Sequence, residues 1–103
     1  GCSRHADRLA TIREVRARYG VTIDTHTADG YHVAQPWREP GVPMVCLETA
    51  QAAKFADAIR EAIGEEAPRP PGFEDLESRP QRFHRMAADV EALERYIAER
   101  CAD

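Results

Sequence analysis

The stretch VPMVCLETAQAAKF, residues 42–55, carries most of what the sequence says about the fold. Its first six residues are apolar without a break, too continuous for a strand with one wet face, so they predict a short strand buried on both sides. Such a strand needs neighbours at its edges. Thr49 follows, placed to cap a helix whose apolar positions Phe55, Ile59, Ala62 and Ile63 recur at i, i+4, i+7 and i+8 as far as Gly64. A core strand delivering the chain into a helix N-terminus is the expected local structure.

Toward the N-terminus, Leu9, Ile12, Val15 or Arg16, and Tyr19 share one stripe that stops at Gly20, the pattern of an amphipathic helix. Residues 21–23, VTI, form a short β-branched run that predicts another strand. Asp24 is then a candidate N-cap for a helix through THTADGYHVAQ, which Pro36 terminates. Gly30 inside that helix costs about 1 kcal/mol relative to alanine.

Toward the C-terminus, residues 65–80, EEAPRPPGFEDLESRP, read as a proline-rich surface connection held down by packing of Phe73 and Leu76. QRFHRM, residues 81–86, predicts a short strand. A closing helix is expected from about residue 89 to 100, with Val90, Leu93 and Ile97 as its buried stripe. The order helix, strand, helix, strand, helix is that of an α/β unit with helices packed on an incomplete sheet, because two or three short strands are marginal alone.

Composition narrows the function classes. With 103 residues, 43% hydrophobic and 31% charged, the chain reads as one soluble globular unit. Its net charge of −4 and the interspersion of arginine with acids give no phosphate-backbone footprint, so nucleic acid is not an expected partner. No apolar run approaches the ~20 residues a bilayer span needs, and GCSRHADR holds no signal-peptide core, so no membrane partner and a cytoplasmic location are expected. Cys2, Cys46 and Cys101 suggest neither a disulfide framework nor a zinc knuckle, and Cys46 is most simply a buried small hydrophobe. No metal site is expected either: His26 and His32 stand six apart on a helix, about 240° around its axis, and cannot share an ion with Asp29 as an i, i+4 pair would.

Lys54 is the only lysine in the chain. A Schiff-base lysine should be desolvated or beside another cation. Lys54 lies five residues beyond Thr49 on a helix, at a rim or outer face, where a solvated or salt-bridged role is expected. For Thr49 and Asp24 the plain reading is a helix cap worth about 1 kcal/mol, and for His26 a surface histidine.

Residues 23–30, IDTHTADG, resemble the D-P-H-T-A-x-G segment of threonine synthases, and residues 47–55, LETAQAAKF, resemble their L-x-T-A-H-P-A-K-F segment, in the same order and spacing. The likeness extends over both flanks to essentially the whole chain, and corresponds to the C-terminal part of that enzyme. It implies the tryptophan synthase β-like fold (fold type II) and pyridoxal 5'-phosphate as cofactor. The implied reaction converts O-phospho-L-homoserine and water into L-threonine and phosphate, by γ-elimination and then β-addition, in threonine biosynthesis. On this resemblance Thr49 meets the pyridine nitrogen of the cofactor, while Asp24, His26 and Gln51 line the site.

Residues 1–64 would then be the sheet and helix part of a cofactor domain, and residues 65–103 the proline-rich connection and closing helix. The cofactor-binding lysine would lie upstream, in an S-F-K-D type motif that this chain lacks. The upstream part of the same enzyme would complete the sheet and the site, and the 103-residue chain alone would be inactive. The chain departs from the family pattern at Thr25, Gln51 and Ala52, and glutamine hydrogen-bonds but does not titrate. The rival reading is a standalone α/β interaction module that completes its sheet by dimerisation or with a partner.

Overall fold

Gly20 takes φ 71° and its N–H reaches the carbonyl of Arg16, which closes α1 (His5–Tyr19) in a left-handed cap that glycine adopts without strain. Asp24 caps α2 (Thr25–Ala34), whose last turn passes into a 3₁₀ turn, Gln35–Trp37, at Pro36. A second 3₁₀ turn, Ala52–Phe55, leads into α3 (Ala56–Ile63), which Gly64 ends as Gly20 ends α1. A 3₁₀ turn, Leu76–Ser78, and α4 (Val90–Arg100) complete the elements. The computed structural model describes residues 1–101.

The core forms around α1. Leu9, Ile12 and Val15 meet Ile23 and Ala28 from the α2 side and Ala52, Ile59 and Ala62 from the α3 side, with Ile12 and Ile59 wholly buried. Burying each such isoleucine contributes about 1.5–3 kcal/mol. Polar contacts fix the helix positions. The Arg8 guanidinium grips Asp29 of α2 at 2.6–3.1 Å, and the Ser3 hydroxyl donates to the same carboxylate at 2.7 Å. On the other side, Arg13 donates to the Ala62 carbonyl at the C-terminal end of α3, and Arg16 pairs with Glu65.

The sheet expected from the sequence is absent among the described residues, and the helices pack on one another instead. Residues 21–23 are an irregular connection that buries Ile23 and exposes Val21. Residues 42–47 are irregular and largely exposed, Val45 at 75% and Leu47 at 80%. Continuous apolar sequence shows what a segment would bury, but a ladder also requires backbone partners, and none lies alongside here. Residues 81–86 form no strand either. Cys46 is half-buried, not enclosed.

The C-terminal part differs from expectation in packing more than in structure. Asp89 caps α4 through the Ala92 amide at 2.7 Å, close to the expected start. Its stripe of Val90, Leu93 and Ile97 is nevertheless exposed, as are Phe73 and Leu76 in the preceding connection. The radius of gyration is 18.6 Å, against about 13 Å for a compact domain of this length, so α4 and its connection extend away from the α1–α3 core.

A Cβ built on Gly30 meets no atom within 4 Å, so Gly30→Ala should raise stability in urea unfolding by about 0.5–1 kcal/mol; a loss would mean that the residue serves something other than the helix. Asp29 offers a pH test. Partial burial pushes its carboxyl upward, but Arg8 and Ser3 outweigh this and hold it below its usual range. A depressed carboxylate contributes stability that is full above the unfolded value near 3.9 and is lost as pH falls through the folded value. Asp29→Asn should therefore lower stability by about 1 kcal/mol at pH 7, with the difference closing in acid. Thermal melts from pH 7 to 2 would show the gap narrowing below about pH 4, and a constant gap would contradict it.

Candidate functional site

The two motif segments lead into α2 and α3, the helices packed against α1, and the segments meet. His26, exposed in the first turn of α2, sets its ring edge-on to Phe55, with centroids 5.0 Å apart and planes at 87°. Such a T-shaped pair contributes about 0.5–1.5 kcal/mol. It joins the IDTHTADG segment to the end of LETAQAAKF.

Asp24 is fully buried. One carboxylate oxygen accepts the His26 amide at 2.8 Å and approaches the Thr27 amide at 3.5 Å, while the other accepts the Thr27 hydroxyl. Those contacts satisfy orphan donors of the first turn, and a buried carboxylate without them would be costly. In this structure Asp24 orients the helix start that presents His26. Asp29, in the same segment, is engaged by Arg8 and Ser3, and among the described residues no group of three His, Cys, Asp or Glu is placed to hold a metal ion.

Thr49 lies exposed in the irregular segment before the 3₁₀ turn. The cap expected of it is not made: Gln51 stands at the start of the turn, and no side chain caps it. The Gln51 carbonyl accepts the Lys54 amide at 3.0 Å, and its side chain reaches an open groove shared with Lys54. The helix starts later than the sequence suggests: Ala52, buried against the core, opens a 3₁₀ turn, and α3 begins only at Ala56. Thr49 is left with a hydroxyl that serves no helix.

Lys54 is exposed, at the rim expected for it. Sequence reasoning missed two arrangements. The Arg8–Asp29 clamp joins residues 21 apart, beyond any helical periodicity. The Arg69–Glu77 pair, 2.6 Å apart, lies in a connection read only as proline-rich surface, although opposite charges flanking PPGF were the available signal.

Fold and geometry define a helical unit in which two motif-bearing helix starts converge beside uncovered apolar surface. The family described as "Threonine synthase, C-terminal" matches residues 27–97, and the chain belongs to it. A threonine synthase of Methylobacillus glycogenes is 56% identical over 96% of this chain and 21% of its own length. That of Corynebacterium glutamicum is 46% identical over 100% of the chain and 22% of its own length. A crystal structure of PLP-bound threonine synthase from Brucella melitensis superposes with a TM-score of 0.79 at 34% identity, covering 96% of this chain and 21% of that one. The chain thus spans about a fifth of the length of the relatives it matches.

The helix start at Asp24 yields a further prediction. Asp24→Ala should destabilise the chain by about 1–2 kcal/mol, and Asp24→Asn, which keeps an acceptor for the amides, by less. Urea titrations of both variants would check the order, and equal stability of wild type and Asp24→Ala would refute the capping role.

Proposed function

We propose that this chain is the C-terminal segment of a threonine synthase, a pyridoxal-phosphate lyase that forms L-threonine and phosphate from O-phospho-L-homoserine and water in threonine biosynthesis. The observation that carries the reading is the family match across residues 27–97, joined to the 0.79 superposition on a PLP-bound threonine synthase. No helix among the described residues is long and apolar enough to cross a membrane. A cytoplasmic enzyme is the corresponding proposal.

The residues present fit the cofactor at one point. The Thr49 hydroxyl is exposed and caps nothing, so it is free to meet a ring nitrogen, donating or accepting as the partner requires. When bound, pyridoxal phosphate supplies the electron sink for bond breaking at the substrate's carbon atoms. Thr49 would orient the ring and, unlike a carboxylate, would not compel its nitrogen to hold a proton. Gln51, two residues on, offers an amide that donates and accepts without titrating. His26 and Phe55 hold the two helix starts together, and Asp24 sets the angle of the first.

The cofactor-binding lysine and the phosphate-binding loop are assigned to the part of a relative-length enzyme outside the matched fifth. Residues 1–64 would contribute to the cofactor domain and residues 65–103 would be its connection and closing helix. The exposed apolar residues from Val42 to Leu47 and along α4 fit surfaces that the remainder would cover.

Phosphate release from O-phosphohomoserine in the presence of pyridoxal phosphate tests the proposal. A relative-length protein containing this chain should turn over, whereas the 103-residue chain alone should not. In the active protein Thr49→Val should lower kcat/KM by about 10- to 100-fold, the worth of one hydrogen bond to a charged or reacting group. Turnover by the isolated chain, or an unaffected Thr49→Val enzyme, would contradict it.

A further inference from the structure

The turn that follows Thr49 and Gln51 has little local support. No side chain caps the 3₁₀ turn Ala52–Phe55 or α3 behind it. Within the turn, the Lys54 amide donates to the Gln51 carbonyl at 3.0 Å. Its other anchors are tertiary: Ala52, buried in the core, and Phe55, half-buried and set against the ring of His26.

His26 stands on the firmer side of that contact. Asp24 accepts its amide at 2.8 Å and also the Thr27 hydroxyl, while the Ala28 amide reaches the Asp24 carbonyl at 3.0 Å. The first turn of α2 is therefore fixed independently of Phe55. From it the imidazole meets Phe55 at a centroid distance of 5.0 Å and an interplanar angle of 87°, the edge-to-face geometry that aromatic rings prefer.

A histidine that moves protons is ordinarily oriented by a third group on its other ring nitrogen. The two carboxylates that flank His26 in its motif are committed elsewhere, Asp24 to its helix start and Asp29 to Arg8 and Ser3. Among the described residues no ion pair includes His26. Its ring is held as an aromatic surface and lacks the partner of a proton carrier.

We infer that His26 is a positioning residue: its ring braces Phe55, and through Phe55 it fixes the turn that begins at Gln51, two residues after Thr49. The imidazole acts by shape and aromatic contact, and no proton is transferred. The consequence for catalysis rests on the reading above, in which Thr49 faces the cofactor. The brace itself is measurable in the 103-residue chain without cofactor or substrate.

Two measurements test the inference. In the 103-residue chain, exchange of the Lys54 amide followed by NMR reports the turn, and that of the Ile12 amide, inside α1, reports the rest of the fold. Relative to Ile12, His26→Ala and Phe55→Leu should each speed Lys54 exchange by about 2- to 10-fold. The double variant should exceed Phe55→Leu little, because both changes break one contact, and His26→Phe should restore protection. In a relative-length protein, His26→Ala should lower kcat for phosphate release by about the same factor with KM changed less, and His26→Phe should rescue it without shifting the pH profile. Unaltered Lys54 exchange in His26→Ala, additive losses in the double variant, or failure of His26→Phe to rescue an active enzyme would each overturn the inference. A wild-type protein without turnover would instead sink the reading above, with Lys54 exchange still deciding the brace.

Discussion

A single amphipathic helix, α1, carries two neighbours, and the core of the structure depends on that packing. Ile12 lies wholly buried in the core that α1 shares with α2 and α3. Apolar packing alone is not directional, so the arrangement also needs the polar contacts at its margins. Arg8–Asp29 is the least exposed of these ion pairs, at 30% and 26%, and so is screened least; His5–Glu61, each more than half exposed, contributes little. His26 and Phe55 meet because α2 and α3 are both laid against this one helix.

Outside that core, the chain presents apolar residues that it does not cover. Val42 to Leu47, Phe83 and the stripe of α4 would be core material in a larger body. The matched relatives are about five times as long as the region they share with this chain, which gives that surface a natural setting. The exposed Thr49 belongs to the same setting: it stands at the margin between the ordered helices and the uncovered segment.

Legibility in the sequence followed locality. Gly20, Gly64, Asp24 and Asp89 act through their own turns, and each ends or begins a helix where its chemistry says it should. Strands were not legible in the same way, because VPMVCL records a preference for burial while the ladder depends on partners elsewhere. The Thr49 cap failed because a 3₁₀ turn from Ala52, buried in the core, intervenes before α3 begins at Ala56. The motif segments were readable through family resemblance. The clamp at Asp29 emerges only in three dimensions, and the pairing of Arg69 with Glu77 is signalled in sequence only by the opposite charges around PPGF.

Hydrogen exchange across residues 42–47 addresses the central claim most directly: that this chain is one wall of a larger threonine synthase body. Amide exchange would be compared between the isolated chain and a relative-length protein containing it. The expected result is rapid exchange of these amides in the isolated chain and strong protection in the longer protein, where partner strands or packing would cover them. Protection already present in the isolated chain, or rapid exchange in both, would contradict the claim.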